Sequence, residues 1–334
     1  MNQRLSFIVL LVLSLFLIRV AFIPQIHGPY ILNDEVVYGY EDDISINSIL
    51  NFSIYSAVPH FFGYPGAIWF NCLLASLCSI PIFYLIRKFQ SERNSAILAV
   101  IVSLFAPLWL YSYTNMTEIS LDFVILNSAF LAEYFFTFKP TWGSFYDNII
   151  LAVPCAIAVM IKPTGIALPL SKIKYGFYIG LAGGAVMCIT HFGGMPFAVE
   201  NTILVSLRSI TYIFFATLGF IVFPLSRYLK GKADAYDYYA LSFLASSLAL
   251  QFAFFTRLPH DLFYGRYWDA GILLILSTTL FKQFEKDRTF YILLFGLFIL
   301  ASIYPTLHPT DLGKLMDAGV MPFVETLQRL ATRV

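Results

Sequence analysis

The chain has 334 residues, of which 59% are hydrophobic and 12% charged, and its mean hydropathy is +0.74. A soluble domain carries about 25% charged residues, so the composition argues against one and predicts an all-α, polytopic membrane protein. A net charge of +1 leaves no broad basic face, which speaks against nucleic acid as a main partner.

Arg4 precedes an apolar run over 5–17 that continues past Arg19 to residue 23 with no small-residue cleavage site. That pattern predicts an uncleaved anchor with a cytoplasmic N-terminus. Residues 30–43, YILNDEVVYGYEDD, then hold five of the chain's twenty carboxylates. The stretch 63–86 has no charged residue, is long enough to cross the hydrocarbon at about 1.5 Å per residue, and ends in Arg87, Lys88 and Arg93. Those cations predict a cytoplasmic loop, which puts 30–62 and its carboxylates on the outer side. Residues 94–113 should then run outward and 114–118 form a short outer loop. The return over 119–138 leads to Lys139, so Glu118 falls on the side of Asp34.

The apolar stretch 145–161 is short, Lys162-Pro163-Thr164-Gly165 breaks it, and only 166–170 remain before Lys172 and Lys174. This predicts a re-entrant pair of half-helices, because irregular backbone at membrane depth needs protein or a wet cavity around it. One kinked span is the alternative, and it would invert the topology downstream. Beyond the break, 175–190 runs out, 191–201 is an outer loop, and 203–225 returns to Arg227, Lys230 and Lys232. The segment 236–256 exits, 257–266 loops, 267–281 re-enters to Lys282, Lys286 and Arg288, and 289–304 exits. That makes about nine spans of the length a bilayer requires, plus the half-helix pair, in one module over 1–305. Residues 306–334 form an amphipathic tail, with Phe323, Leu327 and Leu330 opposite Glu325, Gln328 and Arg329.

On this topology the outer side collects Asp34, Glu35, Glu41, Asp42, Asp43 and Glu118 with Arg257, His260, Asp261 and Arg266, while Lys162 approaches from the half-helix pair. Carboxylates at a membrane boundary lose hydration and repel one another, which marks a functional site. A solvated helix face is the alternative for Glu41, Asp42 and Asp43. Asp34 and Glu35 are flanked by Ile31, Leu32, Val36, Val37 and Tyr38, which suits burial. Carboxylates beside cations fit a reaction that takes a proton from an acceptor and stabilises a phosphate leaving group. A proton-coupled transporter uses the same residue types in a midplane cavity. Cys72, Cys78, Cys155 and Cys188 sit in apolar runs without a CxxC pair and read as core residues; His60, His191 and His260 stand apart without metal-ligand spacing. Arg19 is expected to pair with a loop carboxylate.

An anchor with an Arg near its outer end, followed by the acidic pair of NDEVVY, resembles the GT-C superfamily of polyprenyl-phosphate-sugar-dependent glycosyltransferases. The likeness is nearest to protein O-mannosyltransferases and the aminoarabinose transferases of lipid A. HFFGYPGAIWF from His60 resembles the approach to their second span, YTNMTEISLDF from Tyr113 their second outer loop, VMIKPTGIALPL from Val159 their broken Lys/Arg-Gly segment, and GRYWDAG from Gly265 the start of a late span. These matches are in order over about the first 270 residues. The resemblance implies that Asp34 is the general base, that Glu35 assists it, and that Glu118 is the second acidic group. Arg266 would hold the donor phosphate, with Lys162 a second candidate cation.

Full-length members of those subfamilies usually carry more spans and a soluble outer domain, so the expectation here is a compact member or a chain that needs a partner to recognise its acceptor. The metal-using oligosaccharyltransferase branch has a second Asp-x-Asp motif that this chain lacks. The expectation is therefore a metal-independent, inverting glycosyltransferase of the cell (inner) membrane, acting on its outer face. Its partners would be a polyprenyl-phosphate sugar donor, a lipid, glycan or protein acceptor, and membrane lipid, with no cofactor. A transporter or flippase of a lipid-linked sugar is the alternative.

Overall fold

A computed structural model describes residues 2–23, 54–104, 108–109, 111–113, 118–138, 221–234 and 269–278, with single positions at 154, 157–158, 161, 210, 213–214, 217, 237, 240–241 and 243–245. Every regular element among them is helical: α1 (Asn2–Phe22), α2 (Ile54–Leu77), α3 (Ser79–Arg87), α4 (Glu92–Ser103), a 3-10 turn at Tyr111–Tyr113, α5 (Glu118–Phe138), α6 (Val222–Leu229) and α7 (Asp269–Thr278). The all-α expectation holds for this part of the chain. The half-helix pair at 145–170 falls outside the described residues except at 154, 157, 158 and 161. The spans at 175–190 and 289–304 and the tail at 306–334 fall wholly outside them.

α1 shows why its sequence folds onto the bundle. Leu11, Leu15 and Arg19 recur every four residues and are buried, while Val9, Leu10, Leu13, Leu17 and Ile18 on the other faces stay exposed. Phe7 meets Phe83 and Phe16 meets Trp69 at ring-centroid distances of 5.7 and 5.8 Å, so α1 runs antiparallel to α2 and α3.

α2 bends at Gly63, where φ is 69° and ψ is 172°. Only glycine adopts that backbone region freely, and Pro65 just beyond it starts the next helical stretch. From there α2 and α3 form one nearly continuous helix. Pro81 has no N–H for the carbonyl of Leu77, which interrupts the ladder at Cys78. The bonds Cys78 N–H to Leu74 O (3.0 Å) and Ile82 N–H to Cys78 O (3.2 Å) carry the helix across. Pro65–Arg87, 23 residues with mean hydropathy 1.8, is the one helix among the described residues long and apolar enough to cross a membrane. Its length is about 34 Å at 1.5 Å per residue. A shorter apolar helix covers Ser6–Ala21. The bounds of this helix match those expected for 63–86 to within two residues.

The turn into α4 is capped by Ser91, whose Oγ accepts from Asn94 N–H at 3.4 Å, with Glu92 in the first helical turn. Glu92 also meets Arg87 at 3.4 Å, an exposed pair of small energetic weight. α4 stops at Ser103, ten residues short of the expected end at 113. The reason lies in Pro107: four residues on, it has no N–H to give the carbonyl of Ser103. The chain then stays inside the bundle, because Leu108, Tyr111, Ser112 and Tyr113 are all 0% exposed. α5 begins within one residue of its expected start, but Glu118 is buried rather than set in an exposed loop.

α7 is buried from Ala270 to Ser277, as a helix apolar on all sides should be. Gly271 makes that packing close: a Cβ there would lie 2.9 Å from Cγ of Leu244 and 3.2 Å from Cδ1 of Phe243.

α6 continues to Leu229, beyond the expected end of its span at 225, and closes in a Schellman motif. Gly231 has φ 66°, its N–H donates to Tyr228 O at 3.0 Å, and Lys232 N–H donates to Arg227 O at 2.8 Å. Three residues on, Asp234 and Asp237 form a reciprocal capping box: Asp237 N–H donates to Asp234 Oδ1 at 3.0 Å and Asp234 N–H to Asp237 Oδ2 at 3.3 Å. Arg227 forks onto the same buried Asp237 at 2.7 and 2.8 Å. These bonds hold the Arg227 guanidinium above its ordinary pKa, against the opposing effect of partial burial.

Candidate functional site

Arg19 is the centre of a polar layer inside the bundle. Its side chain is 0% exposed and turns back along α1, as helical side chains do, so that Nη1 donates to Leu15 O at 3.4 Å. Nη1 also donates to Ser76 Oγ at 3.3 Å, and Nη2 donates to the Ser103 carbonyl. That carbonyl is the one that Pro107 leaves free of its helical partner. Ser76 stands at the middle of Pro65–Arg87, so the guanidinium sits deep between α1, α2 and α4. A carboxylate was expected opposite Arg19. None is among its described partners, and the loop carboxylates lie outside the described residues.

Two aromatic rings close the layer on the side where α4 ends and the 3-10 turn follows. The Arg19 guanidinium lies 5.8 Å from the Trp109 ring centroid, and Trp109 meets Tyr113 edge to face at 5.4 Å. The 3-10 turn is tied to α2 by Cys72, whose thiol donates to Ser112 O at 3.4 Å, while Ser112 Oγ donates to Trp109 O at 2.6 Å. Ser76 and Ser79 satisfy their own hydroxyls by donating to Cys72 O and Ser76 O at 2.7 Å each. Cys72 and Cys78 are buried, as expected of core residues; Cys155 and Cys188 lie outside the described residues.

Glu118 and Asp122 form the acidic part. They are one turn apart on the same face at the start of α5, and each is 3% exposed. The N-terminal end of the helix favours negative charge at Glu118.

Of the residues selected from sequence, Glu118 is therefore found buried at the break between α4 and α5. Asp34, Glu35, Lys162 and Arg266 lie outside the described residues, as do Glu41, Asp42, Asp43, Arg257, His260 and Asp261. His60 falls in α2. Asp122 was missed, although the four-residue spacing in EISLD puts it on the face of Glu118. Tyr113 and Ser103 were missed because isolated hydroxyls in apolar runs carry no pattern. Among the described residues there is no group of three or more His, Cys, Asp or Glu placed to hold a metal ion. Comparison with protein-family models, curated proteins and solved structures gives no match for this chain.

Proposed function

We propose that the chain is a multi-pass glycosyltransferase of the cell (inner) membrane, moving a sugar from a polyprenyl-phosphate donor to an acceptor on the outer face. The observation that carries this reading is the inverted polarity of the bundle. Val9, Leu10, Leu13, Leu17, Trp69 and Leu73 are exposed, whereas Arg19, Glu118 and Asp122 are buried. Outward apolar faces suit lipid, and ionisable groups held inside such a bundle are functional candidates. The ordered motifs around Asp34, Glu118, Lys162 and Arg266 supply the reaction class.

In this reading Asp34 takes the proton from the acceptor as its oxygen or nitrogen attacks the anomeric carbon. The bond from that carbon to the phosphate oxygen breaks, and the electron pair leaves with the phosphate. Attack from the face opposite the phosphate inverts the configuration. Arg266 and Lys162 bind the phosphate as its charge grows, Glu35 supports Asp34, and buried Glu118 is the second acidic group of the site.

One observation favours a second reading, a transporter or flippase of a lipid-linked sugar. Arg19 bonds the middle of the Pro65–Arg87 helix beside an interrupted helix, the setting of midplane transport sites. Reconstituted vesicles separate the two. The glycosyltransferase consumes a polyprenyl-phosphate sugar and releases polyprenyl phosphate once acceptor is added. A flippase moves the donor across the bilayer and leaves it chemically unchanged.

A further inference from the structure

Counting the donors of Arg19 leaves two of its five hydrogens over. Nη1 has two hydrogens, directed at Leu15 O and Ser76 Oγ. Nη2 has two, of which one goes to the Ser103 carbonyl, and Nε has one that meets no partner. One hydrogen on Nη2 and the one on Nε are thus left over, and an anion with two oxygens can take both at once. Of the further buried groups without a hydrogen-bond partner, two belong to segments already touching Arg19: Ser103 Oγ, whose own carbonyl the guanidinium holds, and the Tyr113 hydroxyl, beyond the shared Trp109 ring. All of these groups can donate. No carboxylate is among the described partners of this fully buried cation.

We propose that Arg19, Ser103 and Tyr113 form an oxyanion seat for a phosphate group, with two phosphate oxygens on the Nε and Nη2 hydrogens of Arg19 and a third on the two hydroxyls. A buried charge with no carboxylate among its described partners and buried hydroxyls without partners are each costly, and a single anion relieves both. Water can satisfy the hydroxyls but brings no negative charge. A planar carboxylate takes both hydrogens but leaves the hydroxyls over, so a tetrahedral phosphate fits the whole set better. The seat is built from residues other than Arg266 and Lys162, and it does not depend on any transfer reaction. The phosphate can come from a lipid monoester or be free in water, and the experiment separates the two.

The test uses the full chain, purified in uncharged detergent, with three probes: n-decyl phosphate, n-decanol and inorganic phosphate. The readout is the saturable rise in thermal unfolding midpoint with probe concentration. Decyl phosphate should stabilise the wild type and decanol should not. A matching rise with inorganic phosphate would identify a free anion as the ligand, and no rise with it a lipid phosphate; both results support the seat. Tyr113→Phe and Ser103→Ala, which leave the guanidinium and its backbone bonds in place, should each weaken binding by about threefold to tenfold, the worth of one hydrogen bond. Arg19→Gln should abolish it. The proposal is overturned if neither phosphate stabilises the wild type, or if decanol matches decyl phosphate. It is equally overturned if Tyr113→Phe and Ser103→Ala both bind as the wild type does, a result that stands even where Arg19→Gln fails to fold. Phosphate binding in a protein that transfers no sugar would retain the seat while refuting the glycosyltransferase.

Discussion

Substituting Gly271 by alanine tests how the late part of the chain is packed. The added methyl would lie 2.9 Å from Cγ and closer still to Cδ2 of Leu244, a buried side chain that would have to shift to admit it. Overpacking of this kind costs about 1–3 kcal/mol, while alanine's better helix propensity returns about 1 kcal/mol at most. A net loss of about 1–2 kcal/mol is expected. Leu244→Ala alone removes a buried side chain and should cost about 2–5 kcal/mol. In the double variant the new methyl enters the space that Leu244 leaves, so the combined loss should fall short of the sum by at least about 1 kcal/mol. Unfolding of the four proteins in one detergent measures the cycle. Additivity within about 0.5 kcal/mol, or a stabilising Gly271→Ala, would refute the contact. Because α7 begins at Asp269, three positions after Arg266, Gly271→Ala should also weaken donor binding in the proposed reaction.

Four further outcomes concern other parts of the chain. Gly63→Ala should destabilise by about 1–3 kcal/mol through backbone strain alone, since its Cβ would meet only Pro65 at an ordinary 3.8 Å; an unchanged unfolding midpoint would show that the bend is not held at φ 69°. Arg227→Met strands the buried Asp237 carboxylate and should cost about 3 kcal/mol, against about 1 kcal/mol for loss of the Asp234 cap in Asp234→Ala. The Arg227 pKa is raised by Asp237, so the contribution of that cation is complete at neutral pH and is lost only in strong alkali; the gap between wild type and Arg227→Met should stay constant from about pH 7 to about pH 10, and a gap that closes within that window would contradict the pairing. For the multi-pass topology, cysteines placed at Lys139 and Lys172 should both label from the cytoplasmic side, and opposite sides would replace the half-helix pair by one kinked span.

How far the sequence could be read depended on whether the cause was local. Pro65–Arg87 and α5 were legible because long apolar runs free of cations end in marked flanks: Arg87 and Lys88 at one, Lys139 at the other. The end of α4 was not seen, although Pro107 stood in the sequence, because the apolar run continues through it and hydropathy does not register a missing N–H. The turn after α6 was written plainly in Gly231 and the Asp234-x-x-Asp237 spacing, yet the basic residues around it drew the reading toward charge alone. Gly271 stood in the sequence only as the last residue of the GRYWDAG motif. Arg19 was singled out, but its partners Ser76 and Ser103 lie 57 and 84 positions away, and no local pattern connects them. The same distance effect hid the burial of Glu118: the motif suggested an acidic group in a loop, while the fold sets it inside the bundle.

The proposed reaction is tested most directly by separating turnover from donor affinity in Asp34→Asn. The substitution keeps the shape of the side chain and removes the base, so transfer from a radiolabelled polyprenyl-phosphate sugar should fall by about two to four orders of magnitude. Donor affinity, measured separately on the same protein, should remain at the wild-type value. Arg266→Ala, run beside it, should lose both, because a phosphate contact acts in the ground state and strengthens in the transition state. Full transfer activity in Asp34→Asn would contradict the account at its centre.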